Sequence, residues 1–387
     1  MLIVAFWLLV LLLFLGATAL GRRFGLAGII SQLLLAAFIL PPLLLLWVEP
    51  NWQLSASQLL APRALELAYG LSFALLLGYI LSDVVDLQIS AQSLKIALPS
   101  FAMPFFCGLA CAWWLLGQAW LSAVAIGLLF SITAIPVLYL YLQSIGYPAA
   151  RIRTLLHAAI LMDVACWSLF ALAQSSSQPQ NLLWPLLAAA LPLALRLLGL
   201  RQPLCYSLPF FVLMAALHLL GLNALVYGIL YMLCLALLRQ PFRLPLPGPL
   251  WQRLQNHLAI PLILTCGVLE VQFRSVLQDY SWLHLLVLLA LPVASKIGGS
   301  WLGLHWADRE AAAGVKWRES LLLNIRGLTE IMFLNLLLQQ DLIDSAVYFS
   351  LLLMSLFSTL LPVVLRSRPT GGAHSVEANA GHGVREP

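Results

Sequence analysis

The sequence is poor in charge. Of its 387 residues only 9% are Asp, Glu, Lys or Arg, whereas 62% are hydrophobic and the mean hydropathy is +0.96. A soluble domain carries about 25% charged residues, so this composition excludes a fold whose whole surface faces water. The apolar stretches run for ~20 residues instead of alternating over ~10, which excludes a transmembrane β-barrel. The composition therefore predicts an all-α polytopic membrane protein surrounded by a lipid bilayer.

The sequence also lacks the patterns of common soluble functions. Its six cysteines have no zinc-type spacing and lie in or beside apolar segments, as small core residues do. It shows no nucleophile–base arrangement, metal cluster or phosphate-binding loop, so we expect no enzyme activity and no cofactor. The formal net charge of +5 comes from basic residues scattered over short loops, which is typical of membrane topology and not of a nucleic-acid partner.

The apolar stretches divide the chain into about thirteen expected membrane-spanning helices, because each span needs ~20 apolar residues. We expect the spans at 1–20, 27–47, 64–82, 93–117, 119–143, 151–174, 182–199, 203–221, 222–239, 257–273, 282–303, 319–340 and 345–365. A single transmembrane domain then covers 1–365. The segment 366–387 has no apolar face and is expected to be a disordered cytoplasmic tail, with no regulatory nucleotide-binding domain.

Basic residues predict the orientation of these spans. With the N-terminus outside, the inner loops and tail hold 16 Lys and Arg residues and the outer loops hold 2, while Lys296 and Arg326 fall within spans. The first span ends in residues that resemble a signal-peptidase site, but no basic residue precedes its apolar run and Arg22 and Arg23 follow it. We therefore expect a retained first helix and a cytoplasmic C-terminus.

Two spans are interrupted near their middle. The fifth contains SITAIP at 131–136 and the twelfth contains NIRGLTE at 324–330. The two spans are seven helices apart, so an odd offset makes them counterparts in two inverted five-helix repeats, about 27–174 and 222–365. Paired interruptions of this kind indicate a transporter with a binding site at the midplane, where the broken helices cross. The alternative is a proline that kinks one helix and a glycine that packs closely in the other.

Four charged residues lie well inside expected spans, away from the span ends. Asp163 falls near the bilayer centre, where a carboxylate costs ~2.5–3.5 kcal/mol and needs a partner, a proton or a bound cation. Its alternative role is a structural hydrogen bond to a neighbouring helix. Arg326 and Glu330 have the i, i+4 spacing of a local ion pair, for which we favour a structural role. Lys296 is the remaining basic group.

Lys296 lies on a helix face of small residues formed by Ser295, Gly299 and Gly303. This spacing allows a second helix to approach closely. We expect the approach to bring the Lys296 ammonium near the Asp163 carboxylate.

Several runs of the sequence resemble the monovalent cation:proton antiporter superfamily, in particular its Kef-type and plant cation/proton exchanger branch (sodium/proton exchanger-like). The run 131–173 resembles the first broken helix and the ion-site helix of that branch, and the run 324–344 resembles its second broken helix. ASKIGGSW at 294–301 is similar to its lysine-bearing helix, and 23–42 is a weaker match to its first repeat helix. The resemblance covers roughly 23–365 in order.

The resemblance implies a homodimeric antiporter of a bacterial cytoplasmic (inner) membrane, working by an elevator-type motion. It implies that Asp163 alternately binds a monovalent cation and a proton, with Ser131 and Thr133 helping to coordinate the ion. Lys296 matches the family's core lysine. One departure matters: the family has two adjacent aspartates where this chain has Met162 and Asp163, so Lys296 lacks its usual acidic partner.

The expected function is therefore exchange of Na⁺ or K⁺ for H⁺. Desolvation raises the pKa of a carboxyl group and a nearby ammonium lowers it, so one aspartate can bind a cation and a proton in competition. With one carrier carboxylate the exchange is expected to be electroneutral. The alternative is that Lys296 releases its proton in each cycle, which would make the exchange electrogenic. The alternatives are a transport-inactive scaffold or sensor that keeps the fold, and an organic-anion symporter, against which the midplane aspartate argues.

Overall fold

A computed structural model describes residues 2–23, 28–82, 90–175, 183–200, 202–220, 222, 224–240, 242–243, 246–271 and 281–364. In these ranges the regular secondary structure is entirely helical. The expected tail at 366–387 lies outside the described residues. All-helical structure agrees with the composition.

The helices follow one another along the chain with short connections. Their bounds are α1 Leu2–Arg23, α2 28–52, α3 Ala56–Leu60, α4 Arg63–Ser82, α5 Ala91–Leu115, α6 Trp120–Ser131, α7 Ile135–Ser144, α8 Ala149–Ser175, α9 Leu183–Leu197, α10 Leu204–Leu219, α11 Ala224–Leu238, α12 248–270, α13 Trp282–Ala307, α14 Ala313–Leu323, α15 Leu328–Gln339 and α16 Ser345–Val364. Two π-helical turns interrupt α2, one interrupts α12, and one forms the last turn of α5. Several helices contain an internal proline, among them α5, α10, α13 and α16.

Each expected span coincides with one helix or with a pair of helices separated by a break. In the described part of the chain, 6 helices are long and apolar enough to cross a membrane, and further apolar helices of 10–17 residues lie between them. The chain is therefore an integral membrane protein, while the number thirteen and the inverted repeat stay predictions. α12 and α14 begin several residues before the spans expected at 257 and 319, because helical hydrogen bonding continues into polar sequence.

The small-residue face of α13 packs against α5. A Cβ atom at Gly299 would lie 2.5 Å from the carbonyl oxygen of Pro99, and one at Gly303 would lie 2.5 Å from that of Ile96. These distances are too short for any side chain, so the two glycines allow the backbones of α5 and α13 to touch. The close approach predicted for this face is therefore made with α5, and it fixes the depth of Lys296 on α13.

Candidate functional site

Both sequence interruptions are real breaks in helices. α6 ends at Ser131 and α7 begins at Ile135, with Ile132 in an extended conformation between them. α14 ends at Leu323 and α15 begins at Leu328. Pro136 lies in the first turn of α7, where its missing N–H costs nothing because the first helical N–H groups have no partner in any helix. Each break therefore leaves main-chain groups without a partner inside their own helix, in the middle of an apolar bundle.

The two breaks lie directly against each other. The backbone N–H of Ala134 donates to the carbonyl oxygen of Ile325 at 2.9 Å, and the Thr133 hydroxyl donates to that of Leu323 at 3.2 Å. A Cβ atom on Gly327 would lie 3.1 Å from that of Ala134, so there is room for little more than glycine at the crossing. These contacts satisfy polar groups that the lipid environment could not satisfy.

Asp163 lies beside the first break. It is near the middle of α8, its side chain is 3% exposed, and its Oδ1 accepts a hydrogen bond from the backbone N–H of Thr133 at 3.4 Å. A carboxylate at this depth is costly without a positive partner or a proton. The break thus provides the main-chain donor that a continuous helix would have used internally, and it places the carboxylate at the crossing point.

Two buried cations cap the C-terminus of α6. Arg326 donates from Nη1 to the carbonyl oxygen of Leu129 and from Nη2 to that of Phe130, both at 2.6 Å. Lys296 Nζ donates to the carbonyl oxygen of Ser131. The last carbonyls of a helix have no partner within it and carry the negative end of the helix dipole, so cations stabilise them. Both basic groups therefore act on the first broken helix.

Lys296 also contacts Met162. Its Nζ lies 3.4 Å from the Met162 sulfur, and both side chains are buried. A thioether is a weak acceptor, so the Ser131 carbonyl is the stronger of these two partners of the ammonium. A main-chain carbonyl and a sulfur atom are thus contacts of the lysine ammonium here, where the resemblance noted in the sequence predicts an acidic side chain.

Arg326 and Glu330 are close enough for an ion pair, with Nη1 3.5 Å from Oε1, and both are fully buried. This distance is longer than the 2.6 Å bonds from the same guanidinium to the α6 carbonyls. The expected local pair is therefore present in space, but the guanidinium binds the first broken helix more closely than it binds Glu330.

The hydroxyl groups of Ser131 and Thr133 both donate to main-chain carbonyls. Ser131 Oγ lies 3.0 Å from the carbonyl oxygen of Phe101 and 3.2 Å from that of Gly127, while Thr133 Oγ1 binds Leu323. Their oxygen lone pairs still permit cation coordination. Their role as ion ligands stays a prediction, as does that of Asp163.

A second polar cluster, at the end of the bundle where α8 begins, escaped the sequence analysis. Arg151 donates to both carboxylate oxygens of Glu319, at 2.7 and 2.8 Å, and lies 3.2 Å from Asp308. The Tyr147 hydroxyl donates to Glu319 at 2.7 Å, and burial together with that carboxylate raises the pKa of Tyr147 above its usual range. Glu319 is the first residue of an expected span, where a charged side chain normally reaches water, so its position in the sequence did not indicate its complete burial.

Asn324 was also missed. Its side chain is fully buried in the second break. Because asparagine is uncharged, the search for charged residues inside the spans did not include it. An inventory of every polar residue within the two interruptions, charged or not, would have found it.

Comparisons with known proteins find relatives named as antiporters, although no family model matches the chain. Two Arabidopsis thaliana proteins named cation/H(+) antiporter 15 and 18 are 24% and 26% identical to it over 76% of the chain. The Synechocystis sp. protein named Na(+)/H(+) antiporter NhaS4 is 25% identical over 64% of the chain and 65% of its own length. The chain spans only 39% and 40% of the length of the two plant relatives.

The fold is that of a sodium proton antiporter of known structure. The protein named MjNhaP1, from Methanocaldococcus jannaschii, superposes with a TM-score of 0.57 over 94% of this chain and 95% of its own, at 15% identity. The fold and the site thus define the class as a membrane protein in which two broken helices contact each other at their breaks. In sequence and fold the predicted resemblance to the monovalent cation:proton antiporter superfamily is confirmed.

Proposed function

We propose that the chain is a secondary active transporter that exchanges a monovalent cation, Na⁺ or K⁺, for H⁺. The observation that carries this proposal is the position of Asp163, a buried carboxylate that binds the main chain of one broken helix where it contacts the other. The antiporter names of the relatives and the antiporter fold support it. The three ion-site residues proposed are Asp163, Ser131 and Thr133.

Competition at one carboxylate explains the exchange. Burial makes a negative charge without a compensating cation costly. Asp163 therefore releases its proton only when a cation takes the place of that proton. Either ion neutralises the group and allows it to move through the low-dielectric region. Because the two ions exclude each other, alternate exposure of Asp163 to the two sides produces antiport and needs no resident cofactor.

We further propose one cation for one proton. Lys296 and Arg326 donate to three successive carbonyls of α6, and these contacts favour the charged forms of both groups in this conformation. Asp163 is then the carrier, and a site occupied in turn by Na⁺ and H⁺ moves no net charge. The proposal extends to an elevator-type motion and a homodimer.

The proposed location is a bacterial cytoplasmic membrane with the N-terminus outside and the C-terminus in the cytoplasm. Reporters fused at Gln178 and after Arg368, positions outside the described residues, should report the external and the cytoplasmic side respectively. If both reporters lie on one side, the helix count between them is off by one.

The deciding experiment is cation-dependent proton flux in proteoliposomes that contain purified protein. Asp163→Asn should abolish flux driven by Na⁺ or K⁺ while the variant still folds and is purified in the same oligomeric state. Asp341→Asn is the matched control, because Asp341 is exposed just after α15 and its positive φ is one that asparagine adopts as readily as aspartate. Its flux should equal that of the wild type.

Two results would contradict the proposal. Wild-type flux indistinguishable from empty liposomes, over a panel of cations and pH values, would favour the transport-inactive scaffold. Wild-type rates in Asp163→Asn would remove Asp163 from the mechanism.

The stoichiometry has its own test. A Na⁺ exchange rate that changes steeply with an imposed potassium–valinomycin potential would exclude one-for-one exchange, because each net charge is coupled to ~2.3 kcal/mol per 100 mV.

A further inference from the structure

Asn324 is a buried amide with no hydrogen-bond partner among the described residues. Its side chain is fully buried in the second break, and neither Nδ2 nor Oδ1 is bonded to another group there. The Thr329 hydroxyl, in the first turn of α15, is in the same situation. Buried polar groups in native proteins are almost always satisfied, and each exception calls for a specific explanation, such as a role toward a water molecule or an ion.

The position of Asn324 connects it to the carboxylate site. The carbonyl groups of its two neighbours, Leu323 and Ile325, accept hydrogen bonds from Thr133 and Ala134 of the first break. The same Thr133 donates its backbone N–H to Asp163. The backbone of Asn324 is therefore held between two residues that bond to the break beside the carrier carboxylate.

A second buried asparagine shows what a structural amide looks like in this bundle. Asn335, on α15, is also fully buried, but its Nδ2 donates to the carbonyl oxygen of Ile263 at 2.6 Å and its Oδ1 accepts from the Tyr348 hydroxyl at 2.7 Å. Both amide atoms of Asn335 hold α15 to other helices. Asn324 has no such role toward the described residues.

We propose that the Asn324 amide is a ligand that the second break supplies to the transported cation, directly or through one water molecule kept in its shell. This inference rests on the proposed function and adds one residue to its site. Carboxylate and carbonyl oxygens suit hard cations, and an amide oxygen adds a ligand without adding a charge. The one-for-one exchange is therefore unaffected, while affinity and the choice between cations depend on both broken helices.

Because the Asn324 amide has no hydrogen-bond partner among the described residues, its removal separates an ion-binding role from a structural one. Asn324→Leu keeps the side-chain size and removes two polar atoms that have no protein partner, so the cation-free protein should unfold at the same temperature or a higher one. Asn335→Leu is the matched control and should unfold at a lower temperature, because it leaves the Ile263 carbonyl and the Tyr348 hydroxyl without their partner. Asn324→Ala removes the same amide with a smaller side chain, so an effect shared by both variants comes from the loss of the amide and not from the added leucine.

Two readouts use the purified full chain with Na⁺ and with K⁺. In proteoliposomes, Asn324→Leu and Asn324→Ala should raise the KM for the transported cation about tenfold, equivalent to ~1.4 kcal/mol, with little change in the maximal rate. In detergent, both variants should lose most of the rise in unfolding temperature that the cation gives to the wild type. Asn335→Leu should keep its KM.

The results separate this inference from the proposed function. Wild-type exchange together with an unchanged KM and an unchanged cation-dependent stabilisation in both Asn324 variants overturns the inference and leaves the proposed function standing. A loss of stability as large as that of Asn335→Leu, with unchanged KM, makes Asn324 a structural amide and also overturns it. A wild type that neither exchanges nor is stabilised by any cation overturns both.

Discussion

The ammonium of Lys296 lies 3.4 Å from the sulfur atom of Met162 and donates to the carbonyl oxygen of Ser131. Through this arrangement the lysine stabilises the end of α6, one residue before the break that binds Asp163. Its charge is used to fix the broken helix. The proposed mechanism therefore assigns Lys296 a positioning role and leaves proton carriage to Asp163.

Placing a carboxylate at Met162 should change the stoichiometry. In Met162→Asp the new side chain lies next to the ammonium, and a charge-assisted hydrogen bond to it is stronger than the contact with a thioether. A second titratable carboxylate beside Asp163 should allow two protons to be exchanged for one cation. The Na⁺ exchange rate should then become sensitive to an imposed potassium–valinomycin potential.

Met162→Leu is the control for this change, since the two side chains have similar volumes and such swaps usually cost below about 1.5 kcal/mol. It should exchange electroneutrally at close to the wild-type rate. Voltage-insensitive exchange in Met162→Asp would show that the added carboxylate does not join the proton pathway.

Replacing Arg326 by lysine should destabilise the crossing of the two breaks. An ammonium cannot reproduce the planar fork that reaches the carbonyls of Leu129 and Phe130 together, so one buried acceptor loses its partner. We expect a loss of roughly 1–3 kcal/mol in the free energy of unfolding, seen as a lower unfolding temperature in detergent. Arg309→Lys, at an exposed position, should have no measurable effect.

Much of this arrangement follows from the sequence because the membrane restricts the choices. Charged residues are rare in the chain, so Asp163, Lys296, Arg326 and Glu330 stand out, and each is buried at or beside the two helix breaks. The breaks at 132–134 and 324–327 are visible as polar or proline-containing interruptions in apolar runs. Main-chain groups without hydrogen-bond partners are costly inside the bilayer, so an interrupted helix needs other protein groups that satisfy them. Interruptions in the apolar runs therefore predict where the helices break and contact each other.

The partners of these residues could not be predicted in the same way. The small-residue face beside Lys296 indicates that a helix approaches, but only the three-dimensional packing shows that the helix is α5. Arg326 has a nearby carboxylate in the sequence, yet its shortest bonds go to main-chain carbonyls 197 and 196 residues away. Main-chain acceptors carry no side-chain signature, so residue type and spacing do not reveal them.

The buried ion pair between Arg151 and Glu319 should matter more for stability than the neighbouring contact with Asp308. The side chain of Glu319 is 0% exposed and that of Asp308 is 33% exposed. Glu319→Gln removes the buried carboxylate that binds Arg151 through two hydrogen bonds and leaves the guanidinium, among the described residues, with only the partly exposed Asp308 as an acidic partner. A partly exposed pair contributes about 0–1 kcal/mol, so the loss of Glu319 should cost more than the loss of Asp308. Glu319→Gln should therefore lower the unfolding temperature clearly, and Asp308→Asn should hardly change it. Equal effects would show that the pair is not desolvated.

Thr133 offers a way to separate structural from ion-binding roles at the first break. Thr133→Val keeps the shape of the side chain and the backbone N–H that binds Asp163, but removes the hydroxyl that donates to the Leu323 carbonyl. If the hydroxyl only joins the two breaks, the loss should be a lower unfolding temperature with an unchanged KM for the cation. If its oxygen also coordinates the cation, as we propose, the KM should rise several-fold as well.

Thr133→Ser is the matched rescue, because it restores the hydroxyl on a smaller side chain. It should recover most of the cation KM, even where the missing methyl group keeps the unfolding temperature below that of the wild type. Flux in proteoliposomes and unfolding in detergent, measured on the same preparations, give the two quantities independently. A KM in Thr133→Val equal to that of Thr133→Ser would remove the Thr133 hydroxyl from the ion site and leave it the structural role of holding the two broken helices together.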